Sequence, residues 1–143
     1  AGLWNLFVPE EHAKYCDHGG LSFFDYAPLA EIMGRVIWCP EVFNCNAPDT
    51  GNMEVFMNYA TEAQQREWLD PLLAGNIRSS YAMTEPQVAS SDATNVELRI
   101  EKDGSEWVLN GHKWFITNAM YERTKILIVM GKSCMKYPNI NTL

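Results

Sequence analysis

One stretch decides the fold of this chain: residues 81–92, which read YAMTEPQVASSD. Its first residues are aromatic and apolar, as in a strand, and the strand breaks at Glu85-Pro86 into a loop of small residues. A break of this kind exposes main-chain N–H groups and hydroxyls together. Such groups suit a phosphate or the polar edge of a planar ring, because both need many donors and a close approach of the backbone.

A second informative stretch covers residues 110–118 and reads NGHKWFITN. It begins as a hairpin turn and continues as an aromatic-rich segment, which predicts a strand over residues 114–117 with the hydroxyl of Thr117 at its end.

Together the two stretches resemble the flavin-binding signature of the acyl-CoA dehydrogenase family. The closest similarity is to the large branch that contains family members 10 and 11. Three further blocks are similar to that branch in the same order and spacing: residues 2–7 (GLWNLF), 26–35 (YAPLAEIMGR) and 44–54 (NCNAPDTGNME). The resemblance runs from about residue 2 to Lys132.

The resemblance implies an α+β fold, with a helical N-terminal portion followed by part of an antiparallel β-domain. Residues 1–76 correspond to the second half of the family's N-terminal helical domain and residues 77–132 to the first part of its middle β-domain; residues 133–143 form an unrecognised tail. The family's second helical domain, which supplies the catalytic carboxylate, has no counterpart here. We therefore expect a fragment, a truncated splice form or an incomplete gene model, and we assign no catalytic residue.

The hydrophobic periodicity agrees with this division. Apolar residues recur at helical spacing from Pro28 to Ile37, and Pro40 then interrupts this helix. Residues 48–52 resemble a turn. A further helix is capped by Thr61 and ends at Gly75-Asn76. The period then shortens to two. Strands are predicted over residues 77–83, 96–101, 107–110, 114–117 and 126–130, with a tight turn at Asp103-Gly104.

The resemblance also implies a set of FAD-binding residues in the first stretch. Thr84 and its main chain would bond the pyrimidine edge of the flavin, beside a wall formed by Tyr81, Ala82 and Met83. Ser91 would contact both the FAD pyrophosphate and the acyl-CoA. Many relatives have Gly-Ala-Gly-Ser-Asp here and this loop is one residue longer, so Ser90 is the alternative to Ser91; we favour Ser91 because it adjoins Asp92.

In the second stretch, Thr117 matches the residue that donates a hydrogen bond to flavin N5. Phe115 stands where a tryptophan is common in the family and would stack on the flavin. Ile116, between Phe115 and Thr117 in the sequence, is included in the implied flavin site. We interpret Glu85 as a residue that shapes the turn, not as a base, and Asp92 as a brace of the loop.

The family reaction is the FAD-dependent α,β-dehydrogenation of fatty acyl-CoA thioesters, in which a carboxylate removes the Cα proton and Cβ delivers hydride to the flavin. The implied partners are the acyl-CoA substrate, an electron-transferring flavoprotein and further copies of the full-length subunit. The implied location is mitochondrial, with a peroxisomal one as the alternative. Two other readings stay open: a non-catalytic truncated chain, and a related flavin acyl-CoA oxidase.

Composition narrows the remaining classes. The net charge of −7 disfavours nucleic-acid binding, which needs clustered Lys and Arg, and no apolar run is long enough for a transmembrane helix. The four cysteines, Cys16, Cys39, Cys45 and Cys134, show neither Cys-x-x-Cys nor metal-ligand spacing, which indicates reduced thiols and no metal site.

Overall fold

A computed structural model describes residues 2–133. Its helices are α1 (Phe23–Met33), α2 (Cys39–Val42), α3 (Asp49–Tyr59), α4 (Glu62–Gln64) and α5 (Asp70–Leu73). A π-helical turn (Gln65–Leu69) joins α4 to α5, and 3₁₀ turns lie at Glu10–Tyr15 and Ala93–Asn95. The strands are β1 (Arg78–Ala82), β2 (Arg99–Asp103), β3 (Glu106–Asn110), β4 (Thr124–Val129) and β5 (Lys132–Ser133). The expected α+β class is confirmed.

The chain divides into two compact units. Within the described residues, the first contains residues 2–80 and 117–127, and the second contains residues 81–116 and 128–133. Strands β1 and β4 pair with each other in a two-stranded sheet. The domain boundary placed at residue 77 from the sequence stays a prediction.

Helices supply the core of the first unit. Its buried apolar cluster is Val8, Met53, Met57, Leu69 and Leu72, with Ile126 of β4 packed against it. Thr61 caps the helix that begins at Glu62: its side chain accepts the N–H of Gln64, whose own side chain accepts the N–H of Thr61. This capping box confirms the helix start predicted at Thr61.

A buried polar network links the helices of this unit to β1. Arg78 is 4% exposed and donates to Asn44 at 2.8 Å and to Glu41 at 3.2 Å. The carboxylate of Asp49 accepts both the N–H and the hydroxyl of Ser79, at 2.7 and 2.6 Å. Because buried charges are costly unless paired, these bonds fix where β1 lies against α2 and α3.

The second unit is built on a hairpin. β2 and β3 pair antiparallel from Arg99↔Asn110 to Asp103↔Glu106, as the Asp103-Gly104 turn predicted. Ahead of β2, Val96 and Leu98 are buried. Gly111 passes so close to Leu98 that a Cβ there would lie 2.8 Å from its side chain, which explains a glycine at this position.

The structure corrects four details. β5 pairs parallel with β2, so the strands after residue 77 are not all antiparallel. Residues 114–117 are not a strand, because Phe115 and the following Asn118 have φ values of +49° and +67°. The first helix ends at Met33 instead of running to Ile37, and Pro40 lies in the first turn of a separate helix, where its missing N–H costs nothing. Residues 48–52, predicted to form a turn, contain the N-cap of α3 at Pro48 and the first helical residues from Asp49 onward.

Within residues 2–133, no helix combines the length and the apolar character needed to cross a membrane.

Candidate functional site

The predicted strand break follows β1 and is held by internal hydrogen bonds. Glu85 is 3% exposed, whereas the neighbouring Thr84 is exposed. Ser90 closes the turn: its Oγ accepts the N–H of Glu85 at 2.7 Å and donates to the carbonyl of Val88 at 3.2 Å. The hydroxyl of Ser90 is therefore used inside the protein, while Ser91 is exposed.

Glu85 is the centre of this arrangement. Its two carboxylate oxygens accept the N–H groups of Glu97 at 2.6 Å and Leu98 at 2.9 Å. Lys113, from the second stretch, donates to the same carboxylate at 2.8 Å and to the carbonyl of Met83 at 2.8 Å. The ammonium and the carboxylate are both almost fully buried, so this is a desolvated ion pair.

The pairing sets the protonation state of Glu85. Burial by itself raises the pKa of a carboxyl group, but the hydrogen bonds from Lys113 and from the amides of Glu97 and Leu98 outweigh it. Together they lower the pKa of Glu85 to about 2. A carboxylate held this firmly in its charged form is a structural anchor and a poor proton acceptor, which supports the interpretation that Glu85 shapes the turn.

A third bond joins the two sequence stretches. The N–H of Trp114 donates to the carbonyl of Thr84 at 3.1 Å. Together with the two bonds from Lys113, it brings residues 83–85 and 113–114 side by side. We call this set, Met83–Glu85 with Lys113 and Trp114, the clamp. The juxtaposition of the two stretches, which the resemblance implied, is thus present in the second unit.

The loop beyond the clamp carries main-chain donors that have no acceptor among the described residues. Among residues 2–133, the main-chain N–H groups of Gln87, Val88, Ala89 and Ser91 meet no protein acceptor. Asp92 accepts the N–H and the hydroxyl of Thr94 at 2.9 and 2.7 Å, and so braces the loop as expected. A run of free N–H groups beside a hydroxyl is a donor set that suits a pyrophosphate.

The other predicted site residues occupy different environments. Tyr81 and Ala82 lie in β1, where Ala82 is buried and the Tyr81 hydroxyl lies 3.9 Å from the sulfur of Met130. Phe115 is 84% exposed and tilts against Trp114, with ring centres 4.8 Å apart.

Ile116 is half-buried in the second unit, and Thr117 is exposed in the first. The assignment of these residues to a ligand stays a prediction.

The comparisons with known proteins agree with one another. Residues 80–141 match the family described as acyl-CoA dehydrogenase, middle domain. The chain is 54% identical over 132 residues to acyl-CoA dehydrogenase family member 11 of Gallus gallus, a match that covers 92% of this chain and 16% of that protein. A solved structure from Mycobacterium abscessus, named as a presumed acyl-CoA dehydrogenase, superposes with a TM-score of 0.85 at 52% identity, covering 92% of this chain and 31% of that one.

The chain belongs to the acyl-CoA dehydrogenase family. Its relatives include family members 10 and 11, which confirms the branch indicated by the sequence. The chain spans 13% to 31% of the length of the curated acyl-CoA dehydrogenases it matches. A glutaryl-CoA dehydrogenase from Mycobacterium smegmatis, solved in complex with FADH2, matches at 30% identity with a TM-score of 0.51, over 58% of this chain and 21% of that one.

Sequence reasoning missed the part that Lys113 plays in this acyl-CoA dehydrogenase segment. A lysine in a polar turn is ordinarily solvated, and nothing local predicts its burial. The available signal was a pair: Glu85 sits at the end of an apolar strand, where a carboxylate needs a cation, and Lys113 begins the aromatic stretch.

Proposed function

We propose that the full-length protein carrying this chain catalyses the FAD-dependent α,β-dehydrogenation of fatty acyl-CoA thioesters. The observation that carries the proposal is the clamp, because it assembles the two signature stretches of the family and leaves the donors of the intervening loop free. The family membership and the flavin bound to the Mycobacterium smegmatis relative support it.

The residues present fit FAD chemically. Thr84 and Ser91 are exposed residues with hydroxyl groups, and the N–H groups of residues 87–89 have no acceptor among residues 2–133. All of these are neutral donors, which suit a pyrophosphate and a pyrimidine edge. Thr84 would bond the pyrimidine edge, Ser91 the pyrophosphate and the acyl-CoA, and Thr117 would donate toward N5. Bound FAD supplies the hydride acceptor of the reaction. The exposed ring of Phe115 would cover an apolar face of the flavin.

The proton acceptor lies outside this chain in our proposal, since Glu85 is already committed to Lys113 and two amides. The 143-residue chain alone should therefore show no turnover. Loss of a positioned general base by itself removes about 10²–10⁴-fold in rate. Dye reduction with octanoyl- or stearoyl-CoA by the purified chain would contradict this part.

The partners and location follow from the same proposal. Electrons would leave to an electron-transferring flavoprotein, the full-length enzyme would be a homo-oligomer, and its location would be mitochondrial or, alternatively, peroxisomal.

The test uses a full-length protein that contains residues 1–143. Thr84→Ala, Ser91→Ala and Thr117→Ala should each weaken FAD retention by one hydrogen bond's worth, about 0.5–1.5 kcal/mol, with little change in folding. Ser105→Ala, in the exposed hairpin turn, is the matched control. Unchanged FAD affinity, flavin potential and reductive rate in all three variants would remove the assignment. Hydrogen peroxide formation with acyl-CoA would point to the oxidase instead.

A further inference from the structure

A cysteine and a histidine in the first unit form a cluster that the proposed function does not use. Cys16 follows the 3₁₀ turn Glu10–Tyr15 and is half-buried. Its Sγ accepts the N–H of Gly20 at 3.2 Å. The thiol hydrogen has two acceptors within reach, the carbonyl oxygen of Ala13 at 3.7 Å and Nδ1 of His18 at 3.8 Å. A thiol with an imidazole nitrogen beside it is the pairing of nucleophile and base that activates cysteine side chains.

The ring of His18 is oriented by a bond on its far side. Nε2 lies 3.1 Å from the carbonyl oxygen of Asn5. A carbonyl only accepts hydrogen bonds, so Nε2 carries the hydrogen. In the neutral imidazole the lone pair is then on Nδ1, the nitrogen that faces Cys16.

The loop that holds the pair is tightly constrained. Gly20 has a φ of +80°, and a Cβ there would lie 2.6 Å from the Cα of Glu10. The next residue, Leu21, donates its N–H to the carbonyl of Val8 at 3.0 Å. The N–H of Gly20 is therefore fixed in its direction toward the sulfur.

The thiol lies at a small cavity of about 260 Å³. Trp4 and Tyr15 contribute aromatic surface, and Asp17 is the one charged side chain among the described lining residues. Lys14 is not in the lining; its ammonium stands 4.7 Å from the centre of the Tyr15 ring. A single carboxylate in a small cavity disfavours the entry of anionic reagents such as phosphorylated thioesters. The reagents that can reach the thiol are therefore small and neutral.

We propose that Cys16 is a nucleophilic thiol with His18 as its proton acceptor, and that small neutral hydroperoxides oxidise it to the sulfenic acid. The thiol proton passes to Nδ1 of His18, and the sulfur attacks one peroxide oxygen. The O–O bond breaks, and the leaving oxygen takes the proton from His18. The sulfur loses two electrons and the hydroperoxide gains them, so thiol and hydroperoxide yield sulfenic acid and water or an alcohol.

The chain provides its own reference thiols. Cys39 is also half-buried, but among residues 2–133 its sulfur has no hydrogen-bond partner. Cys45 is buried; burial raises the pKa of its thiol, and it should react slowest. Cys134 lies outside the described residues and would be replaced by serine throughout.

The experiment is peroxide oxidation of the Cys134→Ser chain at pH 7, with dimedone trapping and peptide mass spectrometry. Trypsin cleaves after Lys14 and Arg35, which separates the peptide of Cys16 from that of Cys39. Cys16 should be labelled at least roughly tenfold faster than Cys39, a threshold set below the roughly 10²–10⁴-fold that a positioned base contributes. His18→Gln, whose amide can still donate to Asn5, should bring the two rates within about threefold.

Equal labelling of Cys16 and Cys39, or an unchanged Cys16 rate in a folded His18→Gln variant, would overturn the proposal. Should that variant unfold, the parent chain in urea decides: the rate ratio must fall to about one, because the base is positioned by the fold. The preference of Cys16 for neutral over anionic reagents is tested by alkylation. Cys16 should prefer iodoacetamide over iodoacetate more strongly than Cys39 does, and Asp17→Asn should narrow that preference. If Cys16 is alkylated fast but is not labelled by dimedone after peroxide treatment, hydroperoxides are excluded as its substrate.

Discussion

Replacing Lys113 with methionine tests the clamp directly. Methionine keeps a long apolar stem, but it removes the ammonium that lies 2.8 Å from both the carboxylate of Glu85 and the carbonyl of Met83. Glu85 would remain buried, with the amides of Glu97 and Leu98 as its donors. The change therefore isolates the loss of the cation from other effects.

The size of the effect is limited by protonation. Glu85 can escape its uncompensated charge by taking up a proton, and at pH 7 a carboxyl group of ordinary pKa pays about 3.4 kcal/mol for this. The carbonyl of Met83 loses one hydrogen bond, worth about 1 kcal/mol. The two contributions set an upper limit of about 4.4 kcal/mol, so we expect a loss of about 3–4.4 kcal/mol in the free energy of unfolding, within the range found when one partner of a buried ion pair is removed.

The assay is urea unfolding combined with amide hydrogen exchange. The amides of Glu97, Leu98 and Trp114 should exchange about 10²-fold faster, because 3 kcal/mol is about two powers of ten. Lys125→Met is the matched control: Lys125 is exposed, bonds only to the carbonyl of Glu122 among the described residues, and should change stability by less than about 0.5 kcal/mol. A loss below about 1 kcal/mol for Lys113→Met, with these amides unaffected, would refute the role assigned to the clamp.

Three further predictions concern pH and capping. The folded-state pKa of Glu85, about 2, lies below its ordinary value of 4.5, so its contribution to stability is complete above pH 4.5 and is lost as the pH falls toward 2. In the Glu85→Gln variant the urea midpoint should therefore fall less steeply between pH 4.5 and 2, and an equally steep fall would contradict this. Burial, with Cys45 nearby, raises the pKa of Tyr26 from 10.0 to about 12, so the stability it gives is present below pH 10 and lost toward pH 12; Tyr26→Phe should lose less stability over that range in alkaline titrations followed by circular dichroism. Thr61→Ala removes the hydroxyl that caps the amide of Gln64 and should cost about 1 kcal/mol in the urea-derived stability, an expectation that a change below about 0.3 kcal/mol would rule out.

Local signals predicted the elements that local chemistry controls. The turn at Asp103-Gly104, the cap at Thr61 and the strand before Glu85 all follow from residues close in sequence, and the structure has all three. The strand expected at residues 114–117 was wrong because it rested on aromatic composition, which is typical of strands but does not report the positive φ of Phe115.

The partners of the buried charges were beyond local reasoning. Lys113 meets Glu85 across 28 residues, and Arg78 meets Asn44 across 34. Sequence periodicity indicates which face of a helix or strand is buried, but it does not indicate which polar group of a distant segment will pair with a residue on that face. For the candidate site, the resemblance therefore named the loop residues, while the clamp that holds the loop emerged only from the structure.

The order in which the two units occur along the chain has a consequence for synthesis on the ribosome. The first unit is interrupted after Ser80 and resumes at Thr117, and the N–H of Arg78 bonds to the carbonyl of Arg123. At about 5–20 residues per second, the 36 residues from 81 to 116 take about 2–7 s to translate. During that interval the early helices exist without β4, and Ile126 is missing from the cluster that contains Val8 and Met53. The apolar surface that Ile126 later covers is then open to solvent, and slow codons between residues 81 and 116 would lengthen this exposure.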